Sequence, residues 1–214
     1  MSYTERAHKK YESRWTKMLS HPFIRDMRSG EIAVETFNFW VMQDYIFVRE
    51  AIRFFGVLLA KFPRKYQQPF EQSIAGLEHE LTIFEKYAKG QGINLSEVIP
   101  TPICRAYNDF LLSSAYNEDI DNNFTILYTA EKAYHEAWKS VRQYLKPGTP
   151  YEEFIENWAG DAFKQYVEWL ENELNQLTAD LPEHRLQKID KTFLTTVQYE
   201  YLFWEMAYNK LQWM

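Results

Sequence analysis

One cysteine, Cys104, is present in 214 residues, so no internal disulfide can form. A lone thiol fits a reducing compartment better than an oxidising one. No apolar run approaches the roughly 18 residues of a membrane span, and MSYTERAHKK at the start lacks the apolar stretch of a signal peptide. A cytoplasmic chain with no membrane partner is the expectation. Basic residues number 24 against 30 acidic ones, and pairs such as Lys9-Lys10 and Arg64-Lys65 are scattered. That disfavours nucleic acid, whose phosphates are bound by clustered Lys and Arg. Glycine (7) and proline (8) are also few and read as punctuation between periodic segments. No repeat, low-complexity tract, linker or strand-like alternation stands out.

Aromatic residues are abundant, 17% of the chain with 7 Trp, 15 Tyr and 15 Phe, so a ring-rich interior is expected. Apolar residues recur at helical spacing almost throughout, and the length fits one domain over 1–214. The pattern predicts an all-α helical bundle of about seven helices. They run from about Tyr3 to Leu19, Val34 to Phe62, Pro63 to Lys89, Cys104 to Tyr116, Phe124 to Tyr144, Glu152 to Leu177 and Pro182 to Gln212. A short helical turn after His21-Pro22 stops at Gly30, a candidate left-handed C-terminal residue. Asn117 to Asn123 reads as a polar loop, and the Phe124 helix should stop at Lys146-Pro147-Gly148.

Three carboxylates stand where the periodicity wants apolar residues. Asp44 has Trp40, Val41, Phe47, Val48 and Ala51 at helical spacing, Glu200 has Val197, Phe203, Trp204 and Ala207, and Glu131 has Leu127, Tyr128, Tyr134, His135 and Trp138. A charge on such a face is costly unless partnered, so each is either a satisfied structural acid or a functional one. An aromatic setting favours the protonated carboxyl and suits a proton donor, while a carboxylate can also pair with an amidine-like N–H edge. A pocket for a small flat heterocycle is the preferred reading. Metal must be weighed, since Glu131 and His135 stand at i and i+4. A helical di-iron site wants two such pairs, and another acid–His adjacency is Glu78-His79-Glu80. No metal is expected. His8, His21 and His184 read as surface or cap residues, and Cys104 as structural, with no His or cationic neighbour in sequence to activate it.

Five segments then carry a resemblance: His21-Pro-Phe-Ile-Arg-Asp-Met-Arg-Ser-Gly30, Phe39-Trp-Val-Met-Gln-Asp-Tyr45, Ala106-Tyr-Asn-Asp-Phe-Leu-Leu112, Trp158-Ala-Gly-Asp-Ala-Phe163 and Tyr199-Glu-Tyr-Leu-Phe-Trp-Glu-Met-Ala-Tyr208. In that order and spacing they resemble the thiaminase II (TenA) family over nearly the whole chain. The resemblance implies a haem-oxygenase-like helical bundle, a homotetramer or homodimer, no cofactor, and work on 4-amino-2-methylpyrimidines in thiamin salvage. It implies that Asp44 binds the aminopyrimidine edge, that Tyr107, Tyr134 and Phe203 line the ring, and that Glu200 relays a proton.

The departures from that pattern matter. Where the cysteine-bearing branch has its nucleophilic thiol, this chain reads Thr129-Ala130-Glu131-Lys-Ala-Tyr134, and the family's hydroxyl-bearing rings are replaced by Trp158 and Phe47. The chain is thus similar to the branch in which glutamate takes over, with Glu131 activating water and Trp158 and Phe47 as ring contacts. The expected activity is hydrolysis of formylaminomethyl- or aminomethyl-pyrimidines to the hydroxymethylpyrimidine. Cleavage of thiamin itself, a non-catalytic pyrimidine binder and a metal-dependent helical-bundle oxygenase stand as alternatives.

Overall fold

A computed structural model describes residues 1–144 and 148–214. The helix stop expected at Lys146-Pro147 lies outside the described residues. These form α1 (Tyr3–Lys10), α2 (Glu12–Leu19), α3 (Pro22–Ser29), α4 (Val34–Lys61), α5 (Gln67–Gln91), α6 (Pro102–Asn117), α7 (Ile120–Arg142), α8 (Glu152–Ala159), α9 (Asp161–Thr178) and α10 (Glu183–Asn209). Two 3₁₀ turns, Arg64–Tyr66 and Leu95–Glu97, complete the set, and no strand occurs among the described residues. The helix count exceeds the expected seven because the first and sixth expected helices are each broken, and because the short turn before Gly30 is a full helix.

The chain divides into two compact units, residues 1–32 with 119–204, and residues 33–118 with 205–214. In the first, α7 packs against α3, α8 and α9, and α1 lies on α9. Caps set its early helices: Ser2 and Glu5 form a reciprocal capping box on α1, and the His21 imidazole accepts from the Phe23 amide at 3.1 Å to start α3 at Pro22. Gly30 ends α3 at φ 73°, as expected. The break between α1 and α2 falls at Tyr11, where no Pro or Gly stands. Lys10 reaches Asp190 at 2.6 Å and the Tyr11 ring stacks on Phe193 at 5.9 Å, so contacts with α10 bend the chain there. Helix α7 begins at Ile120, inside the expected polar loop, since Asp121, Asn122 and Asn123 are buried helical residues.

In the second unit, α4 packs against α5 and α6. Its core is a chain of rings: Phe37 to Trp40 at 5.0 Å, Trp40 to Phe84 at 5.8 Å, and Tyr66 stacked on Phe70 at 5.9 Å. Each fully buried ring contributes on the order of 1.5–3 kcal/mol. Lys61 Nζ donates to the carbonyls of Ala115, Tyr116 and Glu118 at 3.0, 3.0 and 2.8 Å, closing α6 with a cation at its negative end. Gly56, Gly76 and Gly90 lie inside helices, contrary to the expectation that glycine only punctuates; Gly92, at φ 68°, is the residue that ends α5.

Candidate functional site

Asp44, Phe47 and Tyr107 belong to the second unit. Asp44 is 1% exposed midway along α4, with Trp40, Val41, Val48 and Ala51 buried around it, as the periodicity predicts. One turn on, the half-buried Phe47 brings its ring to 4.8 Å from that of Tyr107. Tyr107 itself is buried on α6, whose start is fixed by Thr101 Oγ1 accepting from the Cys104 amide at 3.2 Å. Gln43, in the same QDY segment, has a role that the helical periodicity does not signal. Its Oε1 accepts from the Thr101 amide at 2.8 Å and its Nε2 donates to the Ile99 carbonyl at 3.1 Å, tying the loop before α6 to the helix that carries Asp44.

Cys104 is fully buried between these helices, its Sγ 3.5 Å from the Gln43 carbonyl. Burial first, and then the nearby charges of Asp44 and Glu50, push the thiol up to about 12. Such a group is neither a thiolate nor a nucleophile near neutral pH, so the structural reading of Cys104 holds.

The remaining candidates lie in the first unit. Glu200 is 1% exposed on α10, with Val197, Phe203 and Trp204 equally buried beside it. Glu131, which the periodicity sets on an aromatic face, is only half-buried. Helix α7 is wrapped on every side from Asp121 to Thr129, but from Ala130 onward only one face is covered, and Glu131 stands at the margin of that face. Tyr134, one turn later, meets Trp158 edge-on at 5.6 Å and Trp204 at 5.2 Å. Trp158 in turn stacks on Trp138 at 5.4 Å and on Phe154 at 6.1 Å. The structure therefore brings Tyr134 and Trp158 into one aromatic wall, and Phe47 and Tyr107 into another pair.

Histidines behave unevenly. His184 is exposed and His21 is a buried cap, but His8 is no surface residue. Its ring is half-buried between Trp15 and Phe193, centroids 4.4 and 5.3 Å away, and bonds the Tyr128 hydroxyl at 2.9 Å. His135 is 5% exposed, with Nδ1 2.9 Å from the Trp158 carbonyl. Among the described residues no group of three or more His, Cys, Asp and Glu side chains could hold a metal ion.

An all-α fold of this kind is haem-oxygenase-like. A domain described as having that fold, from Shewanella denitrificans, aligns with a TM-score of 0.76 over 97% of this chain and 92% of its own, at 12% identity. Residues 8–210 match the TENA/THI-4/PQQC family, and the chain belongs to it. A TenA homologue of known structure from Pyrococcus furiosus is 37% identical, with a TM-score of 0.91 over 96% of this chain and all of that one. A relative from Halalkalibacterium halodurans, named aminopyrimidine aminohydrolase, is 27% identical over all of this chain and 98% of its own length.

Proposed function

We propose that the protein is a cofactor-free aminopyrimidine hydrolase of thiamin salvage. It converts a formylaminomethyl- or aminomethyl-pyrimidine from degraded thiamin to 4-amino-5-hydroxymethyl-2-methylpyrimidine. For the aminomethyl form, water replaces the amine at the methylene carbon and ammonia leaves. The observation that carries the reading is the pairing of buried acids with an inert thiol: Asp44 and Glu200 are each 1% exposed on ring-rich helix faces, while the sole cysteine is held protonated. A thiol-based route has no nucleophile here, whereas carboxylates can activate water directly. The name of the Halalkalibacterium halodurans relative supports the same chemistry.

In this scheme Asp44 pairs with the amino and ring-nitrogen edge of the pyrimidine, and Phe47, Tyr107, Tyr134, Trp158 and Phe203 contact its flat faces. Glu131 activates the water and Glu200 relays the proton to the leaving amine. We read both units as one family domain over 1–214, since the family match spans 8–210. The protein acts in the cytoplasm, the setting that its lone thiol favours, and assembles as a homotetramer or homodimer, as the family resemblance implies.

Incubation with each of the two pyrimidines and with thiamin, followed by product analysis, tests the proposal. Release of the hydroxymethylpyrimidine from either pyrimidine is the expected result. Robust cleavage of thiamin with neither pyrimidine turned over would replace it with a thiaminase, and tight pyrimidine binding without any turnover would replace it with a binding protein.

A further inference from the structure

Helix α8 ends abruptly at Ala159, because Gly160 is extended (φ −72°, ψ 165°) and the chain restarts as α9 at Asp161. A helix that stops this way leaves its last carbonyls without intrahelical donors. The Glu156 carbonyl takes the Gly160 amide at 3.0 Å. The last two are met from α7: His135 Nδ1 lies 2.9 Å from the Trp158 carbonyl, and Arg142 Nη1 donates to the Ala159 carbonyl at 3.0 Å. Arg142 also bridges the Glu156 carboxylate at 2.8 Å. A carbonyl can only accept, so His135 carries its proton on Nδ1 and, when neutral, presents Nε2 as the bare nitrogen.

Two residues of the aromatic wall depend on this contact. Trp158 owns the carbonyl that His135 binds, and Tyr134, the neighbour of His135 on α7, meets the Trp158 ring at 5.6 Å. At 5% exposure the imidazole is shielded from water, so no solvent molecule could replace its N–H without rearrangement. We propose that His135 is a positioning residue of the pyrimidine site, pinning the Trp158 main chain so that the Trp158 and Tyr134 rings are held at the angle the substrate stacks on. The inference rests on the proposed function, in which those two rings touch the substrate. It gives His135 a role apart from metal binding or proton transfer, although Glu131 stands one turn before it.

The test compares the parent with His135→Leu, His135→Gln and His135→Asn. Asparagine places an amide N–H near the position of Nδ1, glutamine places it near Nε2, and leucine has none. In His135→Leu and His135→Gln, KM for the aminomethylpyrimidine and Kd for the hydroxymethylpyrimidine product should rise about tenfold, which corresponds to losing about one good aromatic contact. Their kcat should stay within about threefold and their pH profile should keep its shape, since no proton carrier has been removed. His135→Asn should restore KM and Kd to within about threefold of the parent.

A fall in kcat with an altered pH profile, unrescued by asparagine, would overturn the proposal in favour of a proton carrier. Unchanged KM and Kd in both donor-free variants would overturn it outright, as would failure of the asparagine variant to fold. A parent that neither binds nor turns over any aminopyrimidine would sink the functional reading instead. The pin is then judged on the aromatic circular dichroism of the stacked Trp138 and Trp158. Loss of that signal in the leucine and glutamine variants with retention in asparagine supports the pin, and an unchanged signal in all three rejects it.

Discussion

Arg185, near the start of α10, holds the buried Asp121 at the start of α7 through one nitrogen, 2.6 Å from Oδ1 and 2.7 Å from Oδ2. Its other terminal nitrogen reaches the exposed Asp119 at 2.8 Å. Asp121 is 4% exposed and would be an uncompensated buried charge without the arginine. Arg185→Ala should therefore destabilise the protein by about 2–3 kcal/mol, below the full cost of breaking a buried pair because the arginine side chain is itself partly in water. Replacing both residues, Arg185→Met with Asp121→Leu, should cost less than the single change. Denaturant unfolding of the two variants checks the order, and a double variant no better than the single one refutes it.

His8 supplies a pH dependence with a definite sign. Burial lowers its pKa first, with Lys132 adding to the effect, while the carboxylates of Glu136 and Glu171 pull the other way. The folded state thus resists protonation more than the unfolded chain, whose histidine titrates near about 6.5. Between the folded pKa and that value the unfolded state binds more protons, so stability rises with pH and falls as pH drops below about 6.5. His8→Gln removes the titration. Thermal midpoints measured from pH 7 to 5 should fall more steeply for the parent than for the variant, and parallel curves would show that His8 contributes nothing to the slope.

The contrast between Asp121 and Asp44 shows how far the sequence could be read. Asp44 is visible because five apolar neighbours at helical spacing surround it, and the same periodicity exposes Glu200. Asp121 follows Glu118 and Asp119 in a polar stretch with no apolar stripe, so the sequence predicts a loop there. Arg185, 64 residues on, and Thr192, whose hydroxyl donates to the Asn122 side chain at 2.7 Å, make that stretch a buried helix. The break at Tyr11 is hidden for the same reason, since its cause lies in Asp190 and Phe193. His135 could be noticed beside Glu131, but its partner is a main-chain carbonyl, which leaves no trace in side-chain pattern. Caps, by contrast, are local: His21-Pro22 and Gly30 were both legible because their work is done within one turn.

Gly160 separates α8 from α9 in ordinary extended backbone, and what the position lacks is room for a side chain. A Cβ built there would lie 2.7 Å from the Glu156 carbonyl oxygen, a main-chain atom that cannot swing aside. Gly160→Ala should cost about 1–3 kcal/mol, the usual range for forcing a methyl into a packed site. The shift would fall on the turn that carries Trp158, so the variant should also weaken binding of the hydroxymethylpyrimidine. Calorimetry of unfolding and of ligand binding on the same preparation measures both, and an alanine variant matching the parent in each would show that the turn relaxes freely.

Cys104 offers a simple check on the class of chemistry. A thiol pushed up to about 12 and fully buried should resist alkylation by iodoacetamide in the folded protein at pH 8. Cys104→Ala should keep kcat within about threefold of the parent, since the thiol takes no part in the reaction. Mass spectrometry of the treated protein and rates for the variant measure each point. Loss of activity in step with alkylation would restore a thiol mechanism.

The three carboxylates should separate by kinetic parameter. Glu131→Gln and Glu200→Gln keep size and hydrogen bonding but remove proton transfer, so kcat should fall by about 10²–10⁴-fold with KM little changed. Asp44→Asn keeps the shape but replaces a charge-assisted acceptor. It should act on binding, raising Kd for the hydroxymethylpyrimidine by roughly 10- to 100-fold, the equivalent of about 1.5–3 kcal/mol. Glu131 is the more demanding case because it is half-buried, whereas Glu200 is 1% exposed. Water can reach the margin of α7 where Glu131 stands, which suits a residue that must activate water but would also allow a surface acid to be replaced without effect. Steady-state kinetics of the three variants on the aminomethylpyrimidine distinguish these. A Glu131→Gln variant with parental kcat would remove it from the chemistry and leave Glu200 as the sole proton-transfer carboxylate.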